Sequence, residues 1–336
     1  MYPSSSTGKA YLHGMLEGEN GTSVSYAESW RLFFNISANV TITFSMQILF
    51  GFLGVVLNLM AISVVAKGKK FKRLKIQLVN LAIAELLSSL TVPGSSAILE
   101  FANIPYLDSV SLCKVHQFIG YTVYQVSFLC QAVIAAEKFV AVYFPLRMIR
   151  YEKRHIIVVT IFTWLLGAIA NIDTLFVSGI YDKQTRLICY ANFEETDNKV
   201  LEMILLVSRY VIPTTITVFS YLAILGRLVT SRHCGNDKVA ASRPVPHKVL
   251  FMLAVNGLVA VVMLLPHFIY DLIFLTQTRA HYITSEWSCA QTILYELFHV
   301  NCFIGPVIYT IFNRDFREEL LNQIVSAAKK IRTLWR

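Results

Sequence analysis

Charged and amide side chains inside long apolar runs are the residues of this sequence best placed to do chemistry. Glu85 lies roughly 15 Å along a helix from Lys75, which is near mid-membrane if that run crosses one. A carboxylate at such depth is paired, solvated or protonated. Arg209 lies inside another apolar run, where an unpaired guanidinium is costly. It therefore pairs with Glu296 or Asp173, or meets an anionic group of a ligand, and the internal pair is favoured. Tyr121, Tyr124, Gln125, Ser127 and Gln131 put polar groups into a third run. The chemistry on offer is ion pairing, proton exchange and ligand capture. No nucleophile–base–acid set and no metal-ligand spacing is present, so catalysis is not expected.

These residues need spanning elements to hold them. The chain has 336 residues, of which 55% are hydrophobic and 15% charged, whereas a soluble domain carries about a quarter charged residues. This is the balance of a protein embedded in a lipid bilayer. The net charge of +9 is segregated by loop, so it reads as topology, and no nucleic-acid partner is expected. Six cysteines do not make a disulfide scaffold at this length. The chain does not open on a basic segment followed by a short apolar one, which predicts no cleavable signal peptide.

The first 41 residues are rich in Ser, Gly and Asn and predict a disordered outer tail. They hold three Asn-x-Ser/Thr triplets, at Asn20, Asn35 and Asn39, and the rest of the chain holds none. That clustering favours glycosylation outside the cell. Spans are predicted at about Thr43–Ala66, Ile76–Leu99, Cys113–Pro145, Ile156–Phe176, Val200–Val229, His247–Leu275 and Ser288–Phe312. Between the first two, Lys67–Lys75 carries six positive charges in nine residues. Arg147–Arg154 and Thr230–Pro246 are also basic, which puts these loops inside. The outer loops are neutral to acidic. Alternation in Lys183–Tyr190 predicts a short hairpin, and Pro213 a kink in the fifth span. Residues 313–336 read as an amphipathic helix on the inner leaflet.

Eight motifs in order then carry a resemblance over nearly the whole chain. They are Gly54-Val55-Val56-Leu57-Asn58; Asn80-Leu81-Ala82-Ile83-Ala84-Glu85-Leu86; Cys113, 25 residues before Lys138; Glu137-Lys138-Phe139; Trp164; Pro213 with Tyr221; Pro266; and Gly305-Pro306-Val307-Ile308-Tyr309 followed by Phe316. The sequence resembles a rhodopsin-like G-protein-coupled receptor. The fold implied is all-α: a seven-transmembrane bundle over residues 42–312, an outer tail over 1–41, and a short inner helix with the tail over 313–336. Lys138 stands for the family's Arg and Phe139 for its Tyr, and the fork of donors that Arg offers is lost. Met263-Leu264-Leu265-Pro266 lacks the sixth-helix Trp, Gly305 replaces an Asn, and Pro246 stands where an acid often locks the central cation.

The resemblance implies roles for named residues. It implies a Cys113–Cys189 disulfide that roofs a pocket, with Cys289 free. It places Asn58, Glu85, Ser127 and Asn301 around a water or Na+ pocket. It assigns Glu137, Lys138, Phe139, Tyr221, Pro306 and Tyr309 to switching and to the heterotrimeric G protein. Gln131 and Asn256 sit where aliphatic residues are usual and are expected to bond each other in place of the missing lock, setting basal activity. The ligand pocket would use Tyr121, Tyr124, Gln125, Glu202, Arg209, His267, Asp271, Tyr295, Glu296 and His299. Gly120 stands at the amine-binding Asp of monoamine receptors and His299 at the retinal lysine of opsins, so neither ligand is expected. The acidic outer rim (Glu100, Asp108, Glu194, Glu195, Asp197, Asp271, Glu286) attracts a basic partner and resembles neuropeptide receptors. The expected protein is a plasma-membrane receptor that binds an extracellular ligand, a peptide foremost, and activates a G protein. A lipid or other small-molecule receptor and a non-signalling decoy remain open. A seven-helix transporter remains too, although the repeated halves it requires are not seen.

Overall fold

The computed structural model describes residues 26–68, 74–91, 110–149, 152–183, 186–191, 199–233, 247–276 and 285–334. Two compact units divide the chain, Met1–Met46 and Gln47–Arg336. The first is helical from Tyr26 onward, so residues 26–41, expected as part of a disordered tail, are instead regular. No Gly or Pro interrupts the sequence between Gly21 and Gly51, and helix interiors are broken chiefly by those two residues. The Asn35 and Asn39 side chains, and Asn20 altogether, lie outside the described residues.

Helix α1 (Tyr26–Lys67) is followed by α2 (Lys75–Ser89), α3 (Val110–Tyr143) and α4 (Lys153–Ala170). Strands β1 (Ser178–Lys183) and β2 (Arg186–Ala191) form the hairpin, a little longer than the alternation suggested. Helix α5 begins at Lys199–Leu206, widens into a π turn over Val207–Val211 and continues as Ile212–His233. Then come α6 (His247–Thr276), α7 (Ser285–Phe312) and α8 (Arg314–Leu334). Among the described residues, five stretches are long and apolar enough to cross a membrane: Ser45–Lys67, Val110–Tyr143, Lys153–Val177, Met203–Arg227 and Lys248–Ile269. The described part of α2 and the apolar part of α7, His299–Phe312, are shorter.

Polarity decides which way each span faces. Phe52, Phe162 and Val262 are 65%, 62% and 63% exposed, while Asn58, Glu85, Ser127 and Asn301 are at most 2% exposed. Apolar groups face outward and polar groups inward, as lipid requires. Of these five stretches, that of α3 is the most enclosed and that of α4 the least. The core joins Leu78, Leu81, Val126, Ile134, Tyr221, Leu253 and Ile308. Asn80 of α2 cross-links three spans: it donates to Cys130 Sγ at 2.9 Å and accepts from Trp164 Nε1 at 2.9 Å. Gly167 lets α4 approach α3, because a Cβ there would meet Val126 Cγ2 at 2.6 Å.

The prolines release carbonyls, and side chains from other helices take them up. Proline lacks the N–H that would bond the carbonyl four residues back. Pro213 thus frees the carbonyl of Arg209, which accepts from Gln125 Nε2 at 3.1 Å. Pro306 frees that of Cys302, which accepts from Asn58 Nδ2 at 2.7 Å. The amphipathic α8 is held to α1 by Ser63, whose hydroxyl donates to Gln323 Oε1 at 2.7 Å. Its Leu321, Ile324 and Val325 stay exposed.

Candidate functional site

The side chains singled out in the sequence fall into three groups. In the outer half, Tyr124 of α3 and His299 of α7 meet edge to face with centroids 5.9 Å apart, and Cys302 Sγ donates to the Tyr124 hydroxyl at 3.3 Å. His299 is fully buried, Tyr121 and His267 half-buried. Arg209 is turned away from these toward α4, and Gln125 toward the Arg209 carbonyl of α5. Arg209 Nε and Nη2 donate to Ala170 O at 2.9 and 2.7 Å, and Nη2 also to Asp173. That carbonyl is available because α4 stops at Ala170 and the chain turns, with Thr174 N bonding Asn171 O. The internal ion pair is thus with Asp173. The side chains of Glu202, Asp271, Tyr295 and Glu296 lie outside the described residues.

The hairpin covers the outer end of α3. Cys113 is disulfide-bonded, and its Sγ lies 3.2 Å from Gly179 O. The register sets Cys189 opposite Ile180, the residue after Gly179. The side chain of Cys189, and Cys289's likewise, lies outside the described residues; Cys130 and Cys302 are free and buried.

The central group is an acceptor-rich core. Asn58 Oδ1, Glu85 Oε1, Ser127 Oγ and Asn301 Oδ1 are buried with no hydrogen-bond partner among the described residues. Buried polar atoms are nearly always satisfied, so such atoms mark places for water or an ion. A carboxylate among oxygen acceptors suits a hard cation such as Na+. Gln131 lies beside the Glu85 carboxylate. Its Nε2 and Asn256 Oδ1 both lack aligned partners, so the expected Gln131–Asn256 bond is not formed. The reason is that Gln131 faces α2 and Asn256 faces α7.

At the inner end, Lys138 Nζ donates to Glu137 Oε1 at 2.6 Å, and Gln77 Nε2 donates to Glu137 Oε2. Lys138 is 2% exposed and Glu137 9%. Gln77 was missed in the sequence, although a second amide beside Asn80 at the start of the second apolar run was the available signal. Phe139 stacks on Tyr143 at 4.6 Å, and the Tyr143 hydroxyl donates to Ala223 O of α5 at 2.9 Å. Tyr221 and Tyr309 are buried, and the Tyr309 ring is 6.1 Å from that of Phe316 in α8. Pro306 lies buried in α7 one turn before Thr310, whose hydroxyl bonds its carbonyl at 2.8 Å.

The model of the 7 transmembrane receptor (rhodopsin family) matches residues 57–309 of this chain. The chain belongs to that family. Its members are G-protein-coupled receptors, not enzymes, so this is a multi-pass membrane receptor with a seven-helix bundle, α1 to α7. Relatives include the blue-sensitive opsin of Gallus gallus, 28% identical over 80% of this chain and 74% of the opsin. Galanin receptor 2b of Danio rerio is 24% identical over 84% of this chain and 74% of that protein. P2Y purinoceptor 1 of Mus musculus is 24% identical over 78% and 71%. The three groups lie toward one end, at the centre and toward the other end of one receptor bundle.

Proposed function

We propose that this receptor lies in the plasma membrane with its amino terminus outside and binds a peptide with basic groups. The observation that carries the reading is the β1–β2 hairpin beside the disulfide-bonded Cys113, in a chain whose outer loops are acidic in sequence. A hairpin at that end suits an extended ligand, and complementary charge steers a basic one. Pairing of Cys113 with Cys189 would pin that hairpin. Residues 1–41 form the glycosylated outer segment, 42–312 the receptor domain and 313–336 the cytoplasmic part. The galanin receptor among the relatives agrees with a peptide.

The opsin and purinoceptor relatives support other ligands less well. His299 carries no primary amine, so retinal has no Schiff-base partner there. Arg209 is engaged by Asp173 and Ala170 and is not poised for a phosphate. Ligand binding moves the bundle toward an inner-open state only by its differential affinity for the two states. The test is a peptide-library screen on cells expressing the full chain with promiscuous G proteins. Second-messenger output to a basic peptide is the expected result. Response only to light, a nucleotide or a lipid would overturn the peptide reading, and peptide-driven internalisation without second messenger would make the protein a decoy.

A further inference from the structure

Asn256 is the one hydrogen-bonding side chain of α6 between Lys248 and Pro266. It is 4% exposed, and its Oδ1 has no hydrogen-bond partner among the described residues. Gly305 of α7 faces it. A Cβ built on Gly305 would lie 3.3 Å from Asn256 Oδ1, 3.3 Å from Glu85 Oε2 and 3.6 Å from Glu85 Oε1. The amide of α6 and the carboxyl of α2 therefore border the same space, the one that the missing side chain of α7 leaves. Any side chain on residue 305 would occupy that space.

We propose that Asn256 is bound to the Glu85 carboxyl through the opening at Gly305, and that this contact across α7 holds α6 in its resting position. Two acceptors attract each other only with a donor between them. Three sources of one are at hand: the carboxylic proton of Glu85, a bridging water, or the amide NH2 after a half-turn of Asn256. Leaving two buried acceptors unmet is the costly alternative. Each source joins α2 to α6, and none needs a polar group from α7. Outward movement of α6 must break the contact, because the neighbours of Asn256 along α6 are apolar and offer no substitute. Asn256 and Gly305 are thus one device: the glycine makes the passage and the amide uses it.

The test uses the full chain in phosphatidylcholine nanodiscs without ligand. Nitroxides at Lys153→Cys and Lys248→Cys, exposed positions near the inner ends of α4 and α6, report where α6 stands. Asn256→Leu is expected to raise the population with α6 displaced by about 3- to 30-fold, the scale of one interhelical polar contact in a membrane. Gly305→Ala is expected to do the same, and the double variant no more than either single one, since both break one contact. Gly305→Asn added to Asn256→Leu is expected to restore thermal stability, by giving Glu85 an amide again, but not to return α6. Additive effects, an unmoved α6 in either single variant, or return of α6 in the Gly305→Asn pair would overturn the proposal. Gly305→Ala decides alone if Asn256→Leu does not fold. Ligand-free nucleotide exchange on added heterotrimers, measured in parallel, rests on coupling through the inner end. Silence there with α6 displaced counts against coupling and leaves the contact standing.

Discussion

The guanidinium of Arg209 in α5 is paired with the carboxylate of Asp173, just beyond the end of α4, and the same guanidinium closes that helix by donating twice to Ala170 O. The Arg209 carbonyl, freed by Pro213, is held in turn by Gln125 of α3. One residue, in the π turn Val207–Val211, thus ties three spans.

Asp173→Asn leaves a nearly buried cation with a neutral partner, and Arg209→Leu strips the end of α4 of its donors. Breaking one side of a buried pair costs about 3–5 kcal/mol, whereas replacing both with apolar groups is milder. Asp173 is the more exposed partner, at 20% against 10% for Arg209, which should put its own substitution at the low end. Melting of purified receptor should therefore fall for each single change and recover partly in Arg209→Leu/Asp173→Leu. A double variant less stable than both singles would show that the pair is not the cause.

Glu137 accepts from Lys138 and from Gln77. Removing Gln77 with Gln77→Leu should loosen Lys138, and a hydrogen bond to a charged group is worth about 1.5–3 kcal/mol. Basal nucleotide exchange should rise by about tenfold or more at unchanged surface expression. Equal basal exchange in the variant and the parent would remove Gln77 from the switch.

Lys138→Ala should abolish G-protein activation. It also leaves a buried carboxylate short of a donor, so stability should drop with it. Adding Glu137→Gln should recover the melting temperature while exchange stays absent. Recovery of exchange along with stability would mean that Lys138 acts only as a structural partner.

Cys113→Ala should lower thermal stability by about 2–5 kcal/mol and weaken ligand binding by freeing the hairpin. If Cys189 is the partner, Cys189→Ala should match it and the double variant should be no worse. Cell-surface binding and melting curves read this directly, and a second loss in the double variant would assign the bridge elsewhere.

Gly167→Val should push α4 from α3, since even a Cβ would lie 2.6 Å from Val126 Cγ2. Overpacking of this kind costs about 1–3 kcal/mol. Val126→Ala in the same chain should relieve it in a melting assay; if it does not, the close approach lies elsewhere.

Much of this was legible in the residues in order. Apolar run lengths and basic loops placed the spans, alternation placed the hairpin, and cost in lipid required a partner for Arg209 and an inward face for Glu85. These are consequences of chemistry that acts along the chain or against the bilayer, so a single segment carries them. The partners were another matter. Helical periodicity sets which face a residue lies on, but the rotation and axial offset of one helix against another decide which atoms touch. The sequence offered Arg209 two acids, and packing chose Asp173. It suggested Gln131 for Asn256, but tertiary structure turned Gln131 to Glu85 and gave Asn256 the gap at Gly305. The bond from Gln77 to Glu137 joins residues 60 positions apart, and nothing local to either could name the other.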